Sequence, residues 1–383
     1  MNMSARPVTL VVSNIEWSFV WQRHQTLAAL FVRDSDVVFC EVPGIRRMRL
    51  GDLDRVLRRV WTLAGRGTGG TAATVPGVRV TRPFLLPATN ALFHAINRRL
   101  LARFLRREPT LTVGVDLIID YSAARSALDL IARVPHRRLV YDCTDDWLAV
   151  RGIPACLAAD ECELLAQADL TLVPSARLEQ LKGPHARRLA RVPHGALVER
   201  FLVEPKPRAA GGQLTLLYYG HLLAQHLDFV AIDALARARP AWRIVLVGPV
   251  KTPYDFPPNV ERPGQQPHEQ LREFIQEADV LLLPYVLNDY TRSVLPAKTY
   301  ECLATGRPIV ATPLPELVAI GSGVFEFGTT ADELVAAVER AVAGDSAALG
   351  DRRRALARAN TWEMRYQRIR ELLAGLDAPV PGV

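Results

Sequence analysis

The sequence contains no apolar run that approaches the roughly 20 residues a membrane-spanning helix requires. The stretch near its start, Val8–Val12, is also too short for the apolar core of an export signal. A cytoplasmic chain is therefore expected. Cysteine is scarce, and Cys40, Cys143, Cys156, Cys162 and Cys302 are odd in number and scattered. That excludes a disulfide framework and predicts free thiols. The eight histidines show no metal-ligand spacing, so no metal is expected. G-x-G-x-x-G, G-x-x-x-x-G-K-[ST] and G-x-S-x-G are all missing, which argues against a dinucleotide cofactor, a P-loop nucleotidase and an α/β hydrolase. Internal repeats and low-complexity tracts are also missing. The rarest charged residue is lysine: Lys182, Lys206, Lys251 and Lys298 stand against 43 arginines.

What remains is globular. A 49% apolar content with a net charge of only +7 over 383 residues excludes disorder as the main state. The length suggests two domains, each large enough to bury its own core. The charge is uneven. Residues 46–108 hold fourteen arginines against Asp52, Asp54 and Glu108. Two segments there, Leu50–Leu63 and Ala91–Leu105, have helical apolar spacing with arginines between. Basic amphipathic helices of this kind suit an anionic bilayer, although a solvated helix face has the same pattern. Nucleic acid is not expected, because no zinc pattern, RNP-like strand or helix-turn-helix spacing accompanies the arginines.

Short Val/Ile/Leu runs alternate with helical patterns along the whole chain. Strands are predicted at Val8–Ser13, Val37–Val42, Val78–Thr81, Leu117–Asp120, Leu139–Cys143 and Leu170–Ser175. More follow at Leu214–Gly220, Ile244–Gly248, Val280–Tyr285 and Ile309–Thr312. Helices are predicted at Ala231–Arg239, His268–Glu277 and Ala331–Val342, among others. Continuous apolar runs between helices indicate parallel strands buried on both faces, hence an α/β doubly wound architecture. A Pro/Gly-rich polar break at Val203–Gly212 divides the chain into two such sheets, with a cleft expected between them. Chemistry should lie in the loops beyond the carboxyl ends of the strands.

Three loops carry the strongest signals. Pro296–Gly306 reads as a helix whose start carries Lys298 and, one turn on, Glu301. Free backbone N–H groups and an ammonium suit a diphosphate, and the carboxylate suits a ribose. A Lys–Glu surface pair is the plainer explanation. Gly220, followed by His221, and Gly248 end two strands where backbone must approach a ligand closely. In the first half, Asp142, Asp145 and Asp146 follow a strand. Three adjacent carboxylates repel one another, which should raise at least one pKa and supply a general base. Helix capping by Asp145 or Asp146 is the alternative. The loop Glu16–His24 adds Trp17, which could stack on a ring, and Arg23, which could hold an anion, while Trp21 could be core. The pairs Asp34–Asp36 and Asp52–Asp54 are read as solvated.

Taken together these residues resemble the GT-B glycosyltransferases, and in particular bacterial envelope and exopolysaccharide transferases of the teichuronic-acid-biosynthesis type. The resemblance rests on Leu217–Gly220, Val247–Pro249, Ala278–Val280, Leu283–Tyr285 and Pro296-x-Lys298-x-x-Glu301-x-Leu303-Ala304-x-Gly306. In the first half it rests on Trp21–Arg23 and Tyr141–Trp147. It implies two Rossmann-like domains facing a cleft: residues 1–203 for the acceptor and 204–360 for a nucleotide-sugar donor. A last helix, about 361–383, would cross back to the first domain. It implies a transferase that moves a sugar to a glycan or lipid-linked acceptor, with no metal expected. The basic Arg46–Arg107 region, read from its charge, adds an expected peripheral docking at the inner membrane face. It further implies that Glu301 holds the ribose and that Gly220, His221, Gly248, Tyr285, Ser293 and Lys298 surround the donor. Many retaining relatives have a glutamate where this chain has Ser293, and an Arg–Lys pair after the first strand of the second domain. Here His221 and His226 stand near that place, so the stereochemistry is left open. A transferase for a small soluble aglycone and a non-catalytic nucleotide-sugar-binding scaffold are the alternatives.

Overall fold

The computed structural model describes residues 6–43, 75–86, 91–150, 152–204, 212–321 and 323–376. The chain divides into two compact units, residues 1–192 with 368–383 and residues 193–367. The first contains a seven-stranded sheet of order β3-β2-β1-β4-β5-β6-β7. Its strands are β1 Val8–Ser13, β2 Asp36–Glu41, β3 Val78–Thr81, β4 Val115–Asp120, β5 His136–Asp142, β6 Leu170–Val173 and β7 Leu189–Arg191. The second contains six strands in the order β10-β9-β8-β11-β12-β13. These are β8 Thr215–Tyr219, β9 Arg243–Val247, β10 Val260–Gly264, β11 Val280–Leu283, β12 Ile309–Ala311 and β13 Glu326–Phe327. All pairings in both sheets are parallel.

The apolar runs form strands because both faces of each sheet are covered. All five residues of β8 and all four of β11 are buried. Leu217, Leu281, Leu283 and Ile309 pack on one side, and Leu216, Val280, Leu282 and Val310 on the other. Helix boundaries follow local chemistry. Thr330 and Glu333 form a reciprocal capping box that opens the Ala331–Ala343 helix. Gly306, at φ 73°, ends the Thr299–Thr305 helix in the left-handed conformation.

The division falls after Val192, earlier than the Pro/Gly break read from the sequence. Val198, Phe201 and Val203 belong to the core of the second unit. The Ala196 amide donates to Asn360 O at 3.0 Å, and Ala196 bridges Thr361. The last helix, Trp362–Gly375, accordingly begins with the second unit and joins the first from Arg368 onward. Its first-unit part pairs Arg370 with Asp34 at 3.2 Å.

Each sheet reverses its strand order once, between β1 and β4 in the first and between β8 and β11 in the second. Such a switch point opens a crevice beyond the carboxyl ends of the two central strands. In the first unit the two central strands end at Ser13 and Asp120, and in the second at Tyr219 and Leu283.

Candidate functional site

The second unit's site begins with two glycines. Gly220 follows β8 at φ 138° and Gly248 follows β9 at φ 146°. A Cβ on Gly248 would lie 1.9 Å from Gly220 O, and one on Gly220 would lie 2.1 Å from Lys298 Nζ. Neither position admits a side chain. Lys298 stands at the entry to the Thr299–Thr305 helix. Its ammonium lies over the Tyr218 ring, 4.2 Å from the centroid, and donates to Tyr218 Oη at 3.0 Å. Tyr218 Oη in turn donates to His221 O at 3.3 Å. One lysine thus ties together the loop after β8 and the helix that carries Glu301.

Glu301 lies in the first turn of that helix and is partly buried. Burial pushes its carboxyl up to about 7, against the opposing pull of Lys298 and Arg200. Arg200 sits in the short turn Val198–Arg200 that packs against this helix. Nothing in the sequence pattern points to it. Burial and then the neighbouring cations Lys251, Lys298 and His226 hold the His221 imidazole below its usual range. Tyr285 is 9% exposed and Ser293 only 2%. Ser293 therefore sits inside the Thr291–Ser293 turn with its amide bonded to Tyr290 O at 3.0 Å.

In the first unit the aspartates separate instead of repelling one another. Asp142 is fully buried and accepts Arg23 Nε at 2.7 Å. Burial raises its carboxyl pKa and Arg23 opposes the rise. Thr144 Oγ1 donates to Asp145 Oδ2 at 3.1 Å, and Lys182 Nζ lies 3.5 Å from Asp146 Oδ1. So the raised pKa at Asp142 comes from desolvation, not from crowding of carboxylates. Asp145 and Asp146 are half-buried. The same lysine makes a shorter, buried bond of 2.7 Å to Glu161 Oε2, whose Oε1 accepts Tyr141 Oη at 2.8 Å. Glu161 and Lys182 thus anchor the acid loop from below, and neither was singled out by sequence. The scarcity of lysine was the available signal.

Arg23 is 3% exposed and also donates to Val192 O at 3.0 Å, so it holds a structural carboxylate in place of a free anion. Trp17 and Trp21 exchange their expected places. Trp17 is 5% exposed and packs edge-on against Phe39, whereas Trp21 is 42% exposed. Among the described residues no group of three or more His, Cys, Asp or Glu side chains is arranged to hold a metal. No described helix is long and apolar enough to cross a membrane.

The basic stretch is described only in part, because Leu50–Leu63 and Asp52–Asp54 lie outside the described residues. Arg79 pairs with Glu108, and Arg82 with Glu41. The Ala91–Leu105 helix is present as read. Arg98, Arg99, Arg103, Arg106 and Arg107 are exposed there and just beyond it.

Comparison with known proteins bears on the fold and on the second unit. Residues 213–343 match the family described as Glycosyl transferases group 1. TuaH of Bacillus subtilis, a glycosyltransferase named for teichuronic acid biosynthesis, is 25% identical over 262 residues. That match covers 61% of this chain and 66% of the relative. The sucrose-phosphate synthase of Thermosynechococcus elongatus superposes with a TM-score of 0.69 at 16% identity, covering 97% of this chain and 99% of that one. Anabaena Alr3699/HepE, solved with UDP-glucose, gives 0.67 at 14% identity, covering 96% and 100%. The fold is GT-B, and residues 213–343 are a group 1 glycosyl transferase domain.

Two stability predictions follow from the buried charges. Removing one partner of the Arg23–Asp142 pair strands the other, so Asp142→Ala should cost about 3–5 kcal/mol in denaturant unfolding. A cost below about 1 kcal/mol would show that the pair is not a structural support. For Glu301, a carboxyl raised in the folded chain weakens folding once it ionises. The penalty is absent below the ordinary value of 4.5 and complete above about 7. Glu301→Gln should therefore gain heat stability over the parent as pH rises through that window and hold a constant lead above it. A lead independent of pH would contradict the buried-carboxyl assignment.

Proposed function

We propose that this GT-B glycosyltransferase moves a sugar from a nucleotide-diphosphate sugar to a glycan or lipid-linked acceptor used in envelope or exopolysaccharide synthesis. The observation that carries the reading is the Lys298 ammonium held over Gly220 at the β8/β11 switch point, with Glu301 one turn along. Backbone free of Cβ atoms lets a diphosphate approach, the ammonium supplies its counter-charge, and the Glu301 carboxylate accepts the ribose hydroxyls. In this reading Gly220, His221, Gly248 and Tyr285 border the donor, and Ser293 supports the turn that leads to Lys298. Cationic side chains take the role a divalent ion would otherwise fill, so the reaction proceeds without a metal. The solved UDP and UDP-glucose complexes of Alr3699/HepE support a uridine nucleotide as the first donor to try.

The first unit takes the acceptor. Transfer to a hydroxyl needs its proton removed as the new bond forms, and a carboxylate can accept it in an inverting displacement. Asp145 is the first choice for that base and Asp146 the second, because Asp142 is committed to Arg23. The exposed run Phe19, Val20 and Trp21 favours an acceptor with an apolar portion. Among the described residues Arg98, Arg99, Arg103, Arg106 and Arg107 have no carboxylate partner, which suits an anionic membrane surface on the cytoplasmic side.

Calorimetry tests the donor assignment. Glu301→Ala and Lys298→Ala each remove a charged hydrogen bond worth about 1.5–3 kcal/mol, so affinity for the nucleotide sugar should fall roughly 10- to 100-fold. Unchanged affinity in both would remove them from the site. Asp145→Asn or Asp146→Asn should lower turnover by about 10²–10⁴-fold at constant donor affinity, and a chelator should leave the parent's turnover unchanged. A loss under tenfold in both variants, or a product that keeps the donor's anomeric configuration, rules out the base assignment.

For the surface, Arg98→Glu/Arg99→Glu/Arg103→Glu should abolish sedimentation with anionic vesicles at low salt, where charge pairing is least screened. Equal binding to neutral vesicles would contradict the electrostatic docking.

A further inference from the structure

The loop after β8 and the loop after β9 run side by side. Leu222 bridges Val250, and the Lys251 amide donates to Leu222 O at 2.9 Å. His221 precedes Leu222, and its carbonyl accepts the Tyr218 hydroxyl that also receives Lys298 Nζ. Lys298 Nζ stands over the neighbouring Gly220. Three elements thus bring Lys251, His221 and Lys298 together beyond the carboxyl ends of β8 and β9. Two of the chain's four lysines are gathered there. His226 is close behind, its ring stacked on Tyr290 at 4.9 Å, with its carbonyl accepting the Val286 amide at 2.9 Å.

We propose that Lys251 and His221 complete the diphosphate subsite with Lys298, and that His221 takes up a proton when the diphosphate enters. This rests on the donor reading above. In the free chain the histidine is neutral for a physical reason: it is partly buried, and Lys251, Lys298 and His226 all disfavour a further positive charge. A diphosphate brings two negative charges into that field. It reverses the field at His221, so the imidazolium becomes the favoured form and donates a charge-assisted hydrogen bond to a phosphate oxygen. The proton comes from solvent. The group therefore behaves as a contact that forms fully only when its ligand is present.

The charged groups acting on the His221 imidazole come from three elements: Lys251 beyond β9, Lys298 at the helix entry and His226 in its own loop, while the Tyr218 phenol of β8 binds the His221 carbonyl. Glu301 faces Lys298 from the same helix. Its carboxyl is raised in the free chain, so it should release protons as it accepts the ribose. Net exchange in the parent is the sum of the two effects, and the comparison between parent and variant isolates His221.

Calorimetric titration with UDP-glucose in buffers of different ionisation heat reads the protons exchanged on binding. A nucleotide sugar is the right probe, because its diphosphate diester does not titrate near neutral pH. Near pH 7 the parent should take up more protons than His221→Gln, by a difference approaching one per site at pH values where free His221 is neutral. Affinity in His221→Gln should fall about tenfold on the acid side of neutrality, the loss of one charged hydrogen bond. His221→Asn serves as a second variant. Lys251→Ala should weaken binding by a similar factor and shrink the proton difference, since free His221 then protonates more readily. Equal proton exchange in the parent and both histidine variants overturns the inference while leaving the donor reading intact. Undiminished affinity in Lys251→Ala removes that residue from the subsite. A parent that binds no UDP, GDP or ADP sugar overturns the donor reading and this inference with it.

Discussion

Gly248 approaches the Gly220 backbone so closely that a Cβ on it would lie 1.9 Å from Gly220 O, while a Cβ on Gly220 would take the place of the Lys298 ammonium, and the second unit's site is arranged around these contacts. Because the backbones touch, the loops after β8 and β9 leave in parallel, and Leu222 and Val250 can pair. Because Gly220 has no side chain, the Lys298 ammonium can occupy the space above it and rest on the Tyr218 ring. Positive φ at both glycines is the conformational cost of this arrangement, which only glycine meets without strain. The result is a strand end where backbone without Cβ atoms lies directly beneath an ammonium group.

The first unit solves a different problem. It must hold an acidic loop against a buried sheet end without leaving carboxylates unpaired. Asp142 faces Arg23 within the core, and Glu161 with Lys182 forms a second buried pair beneath the loop. Buried pairs of this kind contribute little net stability but are costly to break. Their effect is to fix where Asp145 and Asp146 stand, with the Thr144 hydroxyl and Lys182 as the local contacts.

Much of this was legible in the sequence wherever burial is two-sided. Central strands such as β8 and β11 read as unbroken apolar runs because no face is left for polar residues. The strands that escaped notice lie at sheet edges. Thus β10 contains Pro263, which an edge position tolerates, β7 holds three partly or fully exposed residues, and β13 has only two residues. Lys298 and Glu301 were legible as a helix start, and Gly220 and Gly248 as strand ends, because such positions have local signatures. Lys182 and Arg200 have none, since the carboxylates they face, Glu161 and Glu301, lie in other elements. Trp17 and Trp21 were exchanged for the same reason: two tryptophans in one loop look alike until tertiary packing decides which meets Phe39. Arg23 looked like an anion site because its carboxylate, Asp142, is 119 residues away.

The central claim is that the second unit alone holds the nucleotide sugar, through the ends of β8 and β9 and the entry to the Thr299–Thr305 helix. Amide hydrogen exchange with and without UDP-glucose tests it directly. Protection should appear at Gly220–Leu222, Gly248–Thr252 and Val294–Glu301, while β10 and β13 remain unchanged. Protection confined to the first unit, at Asn14–Trp21 or Asp142–Trp147, would contradict the account.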